Sequence, residues 1–150
     1  QFMPDVLGPK ADLSLTEGTE ALRAVQGIAT AYNWIATTLS DQPRSYAPRF
    51  GRTADGYADP TPWCDGFGRA IRPRRRLWKR LLDTSRAEFR MIDPILAHAS
   101  PATARALLGP KAANLSLPEG NPAPTIAAAV VTLRGYWMPD RAKASRNASR

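Results

Sequence analysis

Apolar positions along the chain recur at spacings of three and four and nowhere alternate by two, a pattern that predicts helices and no sheet. Ser14 and Glu17 have the spacing of a capping box. After them Leu22, Val25, Ala29, Tyr32, Ala36 and Leu39 mark one face of a helix over 15–41. Asp41, Gln42 and Pro43 stop it. From Arg44 to Pro60 the chain carries Pro48, Gly51 and Gly56 without a sustained period, which predicts a connecting loop with at most a short turn over 46–50.

Thr61 then reads as an N-cap with Pro62 at the first helical position, and Trp63, Phe67, Ala70 and Ile71 form the apolar face of a helix closed by Pro73. Pro73 equally opens a next helix, with Leu77, Trp78, Leu81 and Leu82 on one side and Arg76, Lys79, Arg80 and Asp83 on the other. Ser85 and Glu88 repeat the capping-box spacing before Phe89, Ile92, Ile95, Leu96 and Ala99, and Pro94 restarts that helix with Asp93 as its new cap. Ser100-Pro101 begins a brief helix that ends at Gly109, followed by a loop over 110–124. Ile126, Val130, Leu133 and Trp137 give a last helix, which Pro139 is expected to end. The Ser/Ala/Asn-rich segment 140–150 then reads as a basic disordered tail. The fold class is all-α: a single compact irregular multi-helix domain over 1–139, with no repeat of solenoid length.

Composition narrows the classes. A chain of 150 residues, 43% hydrophobic and 23% charged, is ordinary for a globular domain able to bury a core without staples. One cysteine, Cys64, excludes an internal disulfide, and with one histidine, His98, it leaves no Cys/His set for structural zinc. The longest uncharged apolar run, 126–133, is far short of the roughly 20 residues that cross a bilayer. The chain opens on Gln1 without a signal-peptide pattern, so the expectation is a cytoplasmic protein that is N-terminally incomplete.

Charge adds the one feature that conflicts with local rules. The net charge is +8, from 17 Arg and four Lys. The preference for Arg, with 14 Pro, is also what a GC-rich genome produces without selection for binding. The charge is nevertheless local: residues 1–41 hold five acids against Lys10 and Arg23, whereas Arg69, Arg72, Arg74, Arg75, Arg76, Lys79 and Arg80 form a run with no acid. Arg74, Arg75 and Arg76 would occupy a helical first turn, where the dipole disfavours each cation by about 0.3–1 kcal/mol. Neutralisation is open among acids such as Glu17 and Glu20, solvent, an acidic protein partner and nucleic-acid phosphates. No RNA-binding or zinc-finger signature accompanies the run.

Other chemistry has little support. Cys64 and His98 would have to meet in a pocket to make a nucleophile and base. Asp55, Asp59 and Asp65 lack the order of a calcium loop and read as solvated loop acids. Gly66-Phe67-Gly68 has neither the third glycine nor the preceding strand of a dinucleotide site, and close approach of a neighbouring helix explains such glycines. No cofactor and no metal are implied.

Five segments together carry a resemblance: Met3-Pro-Asp-Val-Leu-Gly8; Tyr32-Asn-Trp-Ile-Ala36 with Leu39; Trp63-Cys-Asp-Gly-Phe67; Ile92-Asp-Pro-Ile-Leu96; and Ala127-Ala-Ala-Val-Val-Thr-Leu133 with Tyr136-Trp137. In order and spacing they resemble the YecA/YgfB-like family of bacterial proteins, and the aromatic-x-x-Gly-Phe element is the most distinctive. The resemblance implies an irregular α-helical domain without an established enzyme activity. Members usually carry further helical sequence upstream of the Met3-Pro4 region. Some also end in a Cys/His zinc-binding tail similar to that of the SecA translocation ATPase, which this chain lacks after Pro139. The expectation is a non-enzymatic helical protein acting as a protein-interaction or regulatory adaptor. The alternative is an accessory nucleic-acid binder using the basic run.

Overall fold

The computed structural model describes the backbone of residues 20–148 and the side chains of 20–139. The chain divides into two compact units, Gln1–Ser45 and Tyr46–Arg150. Among the described residues the first unit holds α1, Glu20–Asp41, followed by a 3-10 turn, Pro43–Ser45. The helix is the one expected from the apolar period, and it stops where Pro43 cannot continue it and Ser45 Oγ donates to the Gln42 carbonyl at 2.8 Å. The expected start at residue 15 and the Met3–Gly8 segment lie outside the described residues.

Among the described residues the second unit consists of helices and connecting turns with one minimal hairpin, β1 (Gly51–Arg52) against antiparallel β2 (Ala58–Asp59), with Gly51 opposite Asp59 and Arg52 opposite Ala58. This hairpin replaces part of the expected loop. Its strands are too short to show a two-residue period, and its turn depends on Gly56 at φ +82 and on Arg52, whose guanidinium donates to the Gly56 carbonyl at 2.8 Å. Asp59 Oδ1 then accepts the Thr61 N–H at 3.0 Å and leads the chain into α2, Thr61–Ile71, so that Pro60 rather than Thr61 is the N-cap.

Beyond Ile71 the expected helix does not form: Arg72–Arg74 is 3-10 and residues 75–82 continue as turns. Three cations at the positive end of a helix, with Pro73 before them, are the physical reason. The helix expected from Ser85 is also interrupted. Ser85 donates both its N–H and its hydroxyl to Asp83 Oδ1, Ala87–Met91 is 3-10, and α3 spans only Asp93–Ala97, with Ile92 as cap and Pro94 in its first turn.

The fourth helix, α4 (Pro101–Leu108), matches the expectation at both ends. Ser100 is its N-cap, accepting from the Thr103 N–H, and Gly109 at φ +63 its C-cap. A 3-10 stretch, Gly109–Asn114, opens the expected loop. Asn121 Oδ1 then accepts the Ala123 N–H as α5 begins. That helix spans Pro122–Ala148 and carries Pro139 inside it, where the sequence predicts a stop and a disordered tail. Two features account for the continuation. The carbonyl that the proline ring crowds is that of exposed Gly135, and Arg141, Ala142, Lys143 and Ala144 are strong helix formers.

Ile71 from α2, Leu81 and Leu82 from the turns, Ile92, Ile95 and Leu96 around α3, Leu107 and Leu108 from α4, and Ile126, Ala129 and Leu133 from α5 form one apolar cluster. Each fully buried aliphatic side chain contributes about 1.5–3 kcal/mol, so these residues hold short and irregular elements in place. Gly68 lets α4 approach: a Cβ there would collide with the Thr103 methyl group and touch Leu107, whereas one at Gly66 would meet nothing.

Candidate interaction surface

The basic run leaves the end of α2 as a ribbon of turns. The N–H groups of Arg75, Leu77, Trp78 and Lys79 donate to the carbonyls of Arg72, Arg74, Arg75 and Arg76, three residues back, at 3.3, 2.9, 3.1 and 3.4 Å. At three residues per turn, side chains three apart eclipse. Arg72, Arg75 and Trp78 therefore share one ridge, Arg76 and Lys79 a second, and Arg74, Leu77 and Arg80 a third. All seven basic residues expected as anion or partner contacts are exposed.

The inner side of the ribbon rests on aromatic rings. Trp78 lies edge-on to Phe67, with centroids 5.7 Å apart, and 5.4 Å from Trp137; Phe67 stacks on Trp63 at 5.8 Å, and Trp137 meets Tyr136 at 5.2 Å. These rings are half-buried and packed against the core cluster, so Trp63 and Phe67 are packing residues. Leu77 is placed differently from the expectation, which put it on the apolar side with Trp78. It is 65% exposed. The three-residue turns up to Lys79 set Leu77 outward between Arg74 and Arg80, and an α-type bond from the Leu82 N–H to the Trp78 carbonyl at 2.9 Å then carries Leu81 and Leu82 into the core.

Among the described residues Glu88 is the acid that reaches this surface. Arg80 pairs with Glu88 at 2.7 Å, and Arg86 reaches the same carboxylate at 3.4 Å. Among the described residues no ion pair joins Arg69, Arg72, Arg75, Arg76 or Lys79 to an acid. Asp65, one turn before Arg69, is engaged elsewhere: its Oδ1 accepts the N–H and the hydroxyl of Ser100, both at 2.9 Å, which ties α2 to the start of α4. Desolvation pushes this carboxyl up, but the hydrogen bonds from Ser100 and Thr103, with Arg69 nearby, outweigh it and hold the group below its ordinary range. Asp59 and Asp65 are thus structural acceptors rather than solvated loop acids.

Cys64 is fully buried, and burial, with Asp65 and Asp59 adding to it, pushes its thiol up to about 12, so it carries no thiolate at neutral pH. His98 is buried with no hydrogen-bond partner at Nε2. Two hollows, of about 270 and 390 Å³, are lined by residues such as Leu96, Arg105 and Leu115, and Arg90, Met91 and Thr132; neither lining includes a cysteine, histidine or carboxylate. Among the described residues no group of three or more His, Cys, Asp or Glu is placed to hold a metal ion, and no helix is long and apolar enough to cross a membrane.

Compared with known proteins, the chain matches no family model, no curated protein and no solved structure.

Proposed function

We propose that this protein is a non-enzymatic interaction module, a protein-interaction or regulatory adaptor whose working surface is the ribbon from Arg69 to Arg80 and whose partner is anionic. One observation carries the reading: among the described residues five exposed cations, Arg69, Arg72, Arg75, Arg76 and Lys79, form no ion pair with an acid, on a backbone held from beneath by Trp78. Their mutual repulsion is relieved when an anionic surface docks. The buried, protonated Cys64 supports a non-catalytic role. Membership of the YecA/YgfB-like family, on the segments that carry the resemblance, and a cytoplasmic location belong to the same proposal.

The same five cations favour a second reading, binding to nucleic-acid phosphates, which is marked by steep salt dependence. Fluorescence anisotropy across a salt series, with a poly-glutamate tract, a short DNA duplex and a single-stranded RNA as probes, separates the two. The proposal expects poly-glutamate binding that weakens with salt and disappears in Arg74→Glu/Arg75→Glu/Arg76→Glu. Binding confined to the nucleic acids transfers the surface to the second reading, and no binding to any probe at low salt overturns both.

A further inference from the structure

We infer that Leu77 is the apolar anchor of this surface and that its occupant is an acidic amphipathic protein segment, one that presents carboxylates to Arg76 and Lys79 beside it and an apolar side chain to Leu77. The inference rests on the ribbon being an anion-binding surface and adds the chemical class of the partner.

A single exposed leucine is unremarkable on a protein surface, and it is the position of this one that matters. It sits on the ridge between Arg74 and Arg80, with the Arg76 and Lys79 ridge beside it. It is also held in place. Its N–H donates to the Arg74 carbonyl at 2.9 Å, and its neighbour Trp78 is packed between Phe67 and Trp137. An apolar centre with an arginine-rich, lysine-poor surround has the composition of protein interfaces. The ribbon fits this, with six Arg to one Lys. A phosphodiester backbone would satisfy the guanidinium groups but offers Leu77 no apolar contact.

The test uses the full chain and three probes: a helical peptide with Glu on one face and Leu at i, i+3 and i+4 on the other, a poly-glutamate tract of equal charge, and a single-stranded RNA. Leu77→Ser leaves the fold intact because the side chain is exposed, which circular dichroism verifies. The inference expects the amphipathic peptide to bind more tightly than poly-glutamate, and Leu77→Ser to weaken the peptide about tenfold while leaving the poly-glutamate affinity and salt slope unchanged. Arg75→Glu/Arg76→Glu weakens both. A Leu77→Ser variant that binds the peptide as wild type does, or RNA binding that exceeds the peptide at matched salt, overturns the anchor. If Leu77→Ser binds the amphipathic peptide as wild type does while the arginine variant loses both probes, the proposed function stands without the anchor. If wild type binds no probe, both fall.

Discussion

His98 is the only histidine in the chain and is 9% exposed. Burial holds its imidazole below the ordinary value, so the unfolded chain takes up the proton first as pH falls. Stability is therefore full above about pH 6.5 and declines as pH drops through that value towards the folded one. No other side chain ordinarily titrates between about pH 5 and 7. The midpoint of urea unfolding should fall across that window in the wild type and stay level in His98→Gln. A level wild-type profile would mean that the ring is solvated in the native state. Asp65 shows why such single-residue roles escape a reading of the sequence: its partner, Ser100, lies 35 residues away, and the intervening pattern carries no trace of the bond.

The two glycines of α2 separate packing from propensity at the scale of an element. Gly68→Ala should destabilise by about 1–3 kcal/mol, because the new methyl group collides with Thr103, a stiff β-branched side chain. Gly66→Ala faces open space in an exposed helical position and should stabilise by about 0.5–1 kcal/mol. Thermal denaturation of the pair reads both signs. The elements legible in the sequence are those with a sustained apolar period, α1 and α2, and α4, where Ser100, Pro101 and Gly109 also mark the boundaries. Those that were not are the ones in which a local signal was overridden. The cations after Pro73 replaced a helix with turns, Pro139 failed to stop α5 above Gly135, and two-residue strands left no period to detect.

For the molecule as a whole, the positive charge and its concentration in one run were legible, whereas the presentation of that run was not. Leu77 is part of the surface where the backbone up to Lys79 runs in three-residue turns, a property the apolar pattern does not encode. The same winding makes the ribbon a weak point in the covalent chain. A protease that cuts after arginine meets exposed target residues there, on backbone lacking the continuous ladder of an α-helix, so limited trypsin treatment should make an early cut between Arg72 and Arg80. The core draws Cys64 and Ile71 from before that cut and Leu81, Ile92, Leu107 and Ile126 from after it. Nicked protein should therefore elute as one folded species and separate into two fragments only in denaturant.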